Sequence, residues 1–168
     1  SIRNEIERII PEEPVLLMLS NNGFIKSIDP PQEVQSNARY GKTLTKFKEG
    51  DYCKSLFETN SIQTILFFSE NGKVYSEKCY NITKNRMIKL ESIIKTNDKI
   101  ISMIPISDDV IGNTNYSLLV TTVGNKIKRI NMTEFMRVNN ILYTKLNEGD
   151  KVLNVELIDN TKKDQSVF

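Results

Sequence analysis

At 168 residues, with 39% hydrophobic and 26% charged side chains and only 7 Gly and 5 Pro, the chain has the makeup of about one soluble globular domain, not of a collagen-like, low-complexity or disordered segment. Its 23 basic and 21 acidic residues leave a net charge of +2, too even to mark a nucleic-acid binder by composition alone. With no histidine and two cysteines, Cys53 and Cys79, the chain supports neither a zinc site nor a disulfide framework, lacks the Ser-His and Cys-His nucleophile pairs, and points to a reducing compartment.

Residues 1–12 carry Ile2, Ile6, Ile9 and Ile10 at the spacing of one short helix, and read more plainly as a linker arriving from a preceding domain. No secretory signal opens the sequence, and its longest apolar run, Val15 to Leu19, falls far short of the roughly 18 residues needed to cross a bilayer. A first unit, residues 13–60, holds an apolar strand at 15–20, a turn at Asn21-Asn22-Gly23, a second strand at 24–27 and a later hairpin at 46–51. A second unit, 61–108, repeats the order: a strand at 65–69, a turn at Glu70-Asn71-Gly72, a strand at 73–76 and a weaker hairpin at 94–99. A third, 109–158, has a strand at 117–122, a turn at Val123-Gly124-Asn125, a strand at 126–129 and a hairpin at 145–151. Residues 159–168 form a polar tail, expected to fray or to be the cut end of a longer chain.

Asn-Gly between apolar runs is the strongest short hairpin signal, because a type I′ turn demands positive φ at both central residues. Gly124-Asn125 reverses the order and keeps the chemistry. Gly23 and Gly72 lie 49 residues apart and Gly72 and Asn125 53, while Asp51, Asp98 and Asp150 are separated by 47 and 52. Two independent landmarks thus give one period near fifty. Short strands at that period are the pattern of propeller-like blades, so the expected fold is all-β, with three four-stranded blades and about twelve strands.

Three stretches in repeat order carry a family likeness: Ile65 to Tyr75 followed by Lys78-Cys79-Tyr80-Asn81-Ile82; Lys126-Ile127-Lys128-Arg129 with Glu134-Phe135; and Lys145 to Val152. Over about residues 13–158 the chain resembles the C-terminal domain of the A subunit of bacterial type IIA DNA topoisomerases, DNA gyrase and topoisomerase IV. The resemblance implies a β-pinwheel, in which neighbouring four-stranded blades exchange strands and a basic outer rim bends DNA. It implies three partners, namely duplex DNA, the catalytic core of the same chain and an ATPase B subunit, with no membrane, in a cytoplasmic, nucleoid-associated setting or a bacterium-derived organelle. It places the strand-cleaving tyrosine and metal site in other domains, so that ATP and Mg2+ are used elsewhere in the complex and no cofactor belongs to this domain. Family rings often have five or six blades, so three repeats suggest a shortened domain or a fragment. The gyrase box, of the form Q-[RK]-R-G-G-[RK]-G, falls on residues 35–41, where only Gln35 and Gly41 are kept. A degenerate box is the topoisomerase IV tendency and the second repeat is closer to gyrase; gyrase is slightly favoured.

The even total charge hides clusters. Arg39, Lys42, Lys46 and Lys48 share a stretch without acids, as do Lys84, Arg86 and Lys89, and three of residues 126–129 are basic. Such patches suit phosphates, whose neutralisation releases counterions; the plain alternative is a solvated face that blunts strand edges. The candidate phosphate contacts are Arg39, Lys42, Lys46, Lys73, Arg86, Lys89, Lys126, Lys128 and Arg129, none with a base-reading role. Tyr40, Tyr75 and Tyr80 read as cross-strand packing before base stacking. Glu49-Gly50-Asp51 and Glu148-Gly149-Asp150 read as turn chemistry before metal ligands. The rival function from another class is a propeller-like protein-interaction scaffold without nucleic acid. A stand-alone enzyme has neither a catalytic constellation nor a phosphate-cradling loop behind it.

Overall fold

The computed structural model describes residues 9–30, 46–135 and 139–162. Among them eleven strands form three antiparallel sheets. The first has the order β3-β1-β2-β6, built from β1 (Pro14–Ser20), β2 (Phe24–Ile28), β3 (Cys53–Asn60) and β6 (Ile88–Lys89). The second has the order β7-β4-β5-β10, built from β4 (Thr64–Ser69), β5 (Lys73–Lys78), β7 (Ile100–Ile106) and β10 (Ile141–Leu142). The third, β11-β8-β9, contains β8 (Tyr116–Thr122), β9 (Ile127–Asn131) and β11 (Val152–Asp159). The expected four strands per blade are present in the first two sheets; among the described residues the third has three.

One edge strand of each of the first two sheets comes from the following sequence repeat. β6 belongs to the second repeat yet pairs with β2, and β10 belongs to the third yet pairs with β5. This exchange explains why the two compact units of the chain cut across the sequence repeats: one holds residues 1–62 and 78–96, the other 63–77 and 97–168.

In the first unit, every residue of Val15–Ser20 is buried, which accounts for an apolar run without the alternation of a half-exposed strand. Ile25 lies opposite Leu19 and Ile88, and Leu90 after β6 donates its N–H to the Gly23 carbonyl at 2.9 Å. Leu90 also opens a one-turn helix, Leu90–Ile94, that ends at Lys95 in the left-handed region (φ 57). The hairpin expected at 94–99 is therefore a helix end, in which the Lys95 N–H returns to the Glu91 carbonyl at 3.0 Å.

In the second unit, one apolar cluster joins both sheets. Phe68 and Val74 of the second sheet and Leu118, Val120 and Val155 of the third are buried in it, with Met132 and Tyr143 from the connections. The Tyr143 ring stands edge-on to Phe68 at 5.0 Å, and its hydroxyl donates to the Ser69 carbonyl at 3.0 Å. All three sheets carry the same irregularity, a one-residue register shift where the central strand ends: at Leu19/Ser20, Phe68/Ser69 and Val152/Asn154. Such bulges sharpen the twist of the outer strand. No helix among the described residues is long and apolar enough to cross a membrane.

Candidate nucleic-acid interface

Lys73, Lys126, Lys128 and Arg129 sit on or beside the first hairpins of their repeats, and these hairpins are fixed by a repeated device. Each central strand ends in a buried hydroxyl residue, Ser20, Ser69 or Thr122. Its carbonyl accepts the N–H three residues on, from Gly23, Gly72 and Asn125 at 3.1, 3.2 and 3.1 Å. Its side-chain oxygen accepts the N–H of the next residue, from Phe24, Lys73 and Lys126 at 3.1, 3.1 and 3.2 Å. Gly23, Gly72 and Asn125 all have positive φ, 87°, 90° and 62°, which is why only Gly or Asn stands there.

The Glu-Gly-Asp turns latch this first hairpin to the second. Asp51 Oδ1 accepts the N–H groups of Asn22 and Tyr52, both at 2.9 Å; Asp150 Oδ1 accepts those of Gly124 and Lys151, both at 2.8 Å. Burial pushes the Asp51 carboxyl up, but the Ser20 hydroxyl and the amides of Asn22, Tyr52 and Asn21 outweigh it, so its pKa lies below the ordinary range. The Thr122 hydroxyl lowers Asp150 against a desolvation that raises it, helped by the amides of Gly124 and Lys151 and the charge of Lys126. Both carboxylates are thus engaged by hairpin amides, the turn chemistry read from the sequence. In the second repeat Asp98 does different work, accepting the Tyr75 hydroxyl at 2.8 Å. Tyr75 is itself buried, a packing residue.

In the first unit, Lys46, Arg86 and Lys89 are exposed. Lys89 lies across the β2–β6 ladder from Phe24, and the Lys48 ammonium sits 4.8 Å from the centre of the Phe24 ring. Phe24 thus carries the Lys48 ammonium on its ring and has Lys89 opposite it in the ladder. Lys84, beside Arg86 in the same basic run, is spent internally: its ammonium pairs with Glu13 at 2.6 Å and Asp29 at 2.7 Å. Hydrogen bonds to Asp29 and then Glu13 raise its pKa further.

In the second unit, Lys73, Lys126 and Arg129 are exposed and Lys128 is half-buried. Lys128 donates to the Lys145 carbonyl and to Thr144 Oγ1, and Arg129 donates to Asn160 Oδ1. These two cations are oriented by the protein, whereas Lys73 lies opposite Leu142 of the edge strand β10. Arg39, Lys42, Tyr40, Gln35 and Gly41 lie outside the described residues. Lys48 was visible in the basic run, but the placement of Lys89 opposite Phe24 depends on the exchanged strand and leaves no signal in local sequence. Among the described residues no group of three or more His, Cys, Asp or Glu side chains could hold a metal ion.

The DNA gyrase C-terminal domain, beta-propeller family matches residues 14–60, 63–89 and 116–159. The A subunit of DNA gyrase from Haemophilus influenzae is 29% identical over 95% of this chain, and that from Streptococcus pyogenes serotype M1 is 31% identical over 91%. The chain spans 19% of the length of each. In fold it is similar to the C-terminal domain of DNA topoisomerase IV, with a TM-score of 0.69 at 19% identity, covering 90% of this chain and 47% of that one. Segments of all three sequence repeats fall within the match, and the chain belongs to the DNA gyrase C-terminal domain, beta-propeller family.

Proposed function

We propose that this chain binds and bends duplex DNA as the C-terminal domain of a gyrase-type A subunit, assisting ATP-dependent topoisomerisation carried out by other domains of the complex. The observation that carries this reading is the placement of exposed cations at the hairpins and connections of successive repeats: Lys46, Arg86 and Lys89 in one unit, Lys73, Lys126 and Arg129 in the other. Membership of the gyrase family supports it. Contacts of this kind bind phosphates without reading bases. Bending a 20–30 bp site costs about 1–6 kcal/mol, so several such contacts have to act together to offset it. The chain supplies geometry and charge; the catalytic core and an ATPase B subunit supply strand cleavage and the use of ATP and Mg2+. This role goes with a cytoplasmic, nucleoid-associated location.

The test is titration of the domain onto linear duplex and then onto relaxed plasmid at several salt concentrations, closing the plasmid with ligase and reading its linking number. Salt-sensitive, sequence-blind binding is expected. A linking-number shift favours chiral wrapping of the gyrase type; binding without a shift favours the topoisomerase IV type or an incomplete ring. No binding at low salt overturns the proposal in favour of a protein-interaction scaffold.

A further inference from the structure

β9 carries two adjacent cations, and the pleat sends them to opposite faces of the third sheet. Lys128 lies opposite Val120, a residue of the apolar cluster, and its ammonium is bonded to Thr144 and Lys145. Arg129 lies opposite Leu119, which in turn lies opposite Glu156, so these three share the other face. The Arg129 guanidinium donates to Oδ1 of Asn160, the residue that follows β11. Asn160 is itself held from three directions. Its N–H donates to the Asn115 carbonyl at 2.6 Å, and its side-chain Nδ2 donates to the Thr114 carbonyl and to Ser117 Oγ, both at 2.9 Å. Ser117 is buried, and the turn beyond Asn160 is closed by Asp159, whose carboxylate accepts the Thr161 N–H at 2.9 Å and its hydroxyl at 2.6 Å. A carbonyl only accepts and a guanidinium only donates, so the Asn160 amide has one usable orientation, Nδ2 to Thr114 and Oδ1 to Arg129.

We propose that Asn160 is a positioning residue for DNA, aiming the Arg129 guanidinium at a backbone phosphate while leaving its positive charge whole. The inference rests on the DNA-binding reading above and adds to it a residue with no charge of its own. Lys84 shows the opposite arrangement, a cation held by two carboxylates and neutralised by them. A neutral acceptor fixes the side chain at one nitrogen, and the rigid fork of a guanidinium keeps further N–H donors for a pair of phosphate oxygens. Ordering the long side chain before DNA arrives also removes part of the entropy lost when the contact forms. A carboxylate stands on the same face two strands away, Glu156 beyond Leu119. Asn160 draws the guanidinium along the sheet toward Ser117 and away from that carboxylate, which would otherwise compete with phosphate for it.

The test is titration of a labelled linear duplex at several salt concentrations. Asn160→Ala is expected to weaken binding about threefold or more, and to have no further effect in a chain that already carries Arg129→Gln, because both changes remove one contact. A role for Asn160 in folding alone would lower affinity equally in the two backgrounds. Asn160→Asp sets a carboxylate against the guanidinium, holding Arg129 while neutralising it. It is expected to reduce the slope of log affinity against log salt by roughly 0.9, as Arg129→Gln does. In that variant Asn131 Nδ2 still donates to the Thr114 carbonyl, at 3.3 Å. Equal losses in both backgrounds, no loss from Asn160→Ala, or an unchanged slope in Asn160→Asp overturns the inference and leaves DNA binding by the chain standing. No duplex binding by the unaltered chain at low salt overturns the DNA-binding reading and this inference with it.

Discussion

Gly72 is held to glycine twice over, Gly23 once. Both have strongly positive φ, but only at Gly72 would a Cβ also strike a backbone carbonyl, that of Thr144 at 2.4 Å. Gly23→Ala is expected to cost about 1–2 kcal/mol, the left-handed penalty alone. Gly72→Ala is expected to cost about 3 kcal/mol or more, because backbone has to move as well. Urea unfolding with an unchanged slope separates the two, and equal midpoints would show that the exchanged strand does not press on Gly72. The hairpin aspartates give a pH dependence of definite sign. Asp51 and Asp150 have folded pKa values below those of the unfolded chain, so their stabilisation is complete above the unfolded value and is lost as pH falls through the folded one. Stability should therefore drop on acidification below about pH 4, and Asp51→Asn with Asp150→Asn should flatten that limb. The thiols differ in the same physical terms: burial pushes Cys79 up to about 11 against the opposing charge of Lys84, and raises Cys53, which is only half-buried. An alkylating reagent at pH 8 should label Cys53 well before Cys79, and equal rates would contradict the burial of Cys79.

At the scale of elements, two-residue strands are too short to persist by themselves and survive by anchoring on either side. β10 is followed by Tyr143, whose N–H bonds Gly72, whose hydroxyl bonds Ser69 and whose ring meets Phe68. Tyr143→Phe keeps the ring and removes one of the two donors to the buried Ser69 carbonyl, which still accepts the Gly72 N–H, so a loss of about 0.5–1.5 kcal/mol is expected, with faster amide exchange at Val74 reporting looser docking of β10. A loss of stability without that local change would place the effect elsewhere. The first hairpin of each repeat, the repeat period and the central strands were legible in the sequence, because Gly and Asn turns and unbroken apolar runs are local signals. The donor strands were not: Ile88-Lys89 and Ile141-Leu142 carry no period, and only a partner fifty or more residues away makes them strands. The helix at Leu90–Ile94 was hidden for a related reason, since its left-handed end falls on Lys95 rather than on a glycine.

For the whole molecule the charge map decides the expected behaviour toward DNA. Changing Lys73, Arg86 and Lys126 to Gln together should weaken binding to all duplexes alike and reduce the slope of log affinity against log salt by roughly 0.9 for each lost contact. Lys84→Gln serves as the contrast, because its ammonium is already neutralised by Glu13 and Asp29. An unchanged slope in the triple variant would remove these residues from the interface. A slope reduced as much by Lys84→Gln would mean that its ion pairs open on binding. The sequence showed the basic clusters, but not that Lys84 is consumed within one of them or that Lys48 sits on the Phe24 ring with Lys89 opposite in the ladder.

The sequence by itself determined the class of fold, the repeated order of strands and the first hairpin of each repeat, because each rests on contacts within a few residues: apolar runs and Gly or Asn turns. Only the tertiary structure decided which strands close the first two sheets and which cations remain exposed. Those outcomes depend on pairings between residues far apart in the chain, where backbone hydrogen bonds and buried area, rather than local propensity, select the partner.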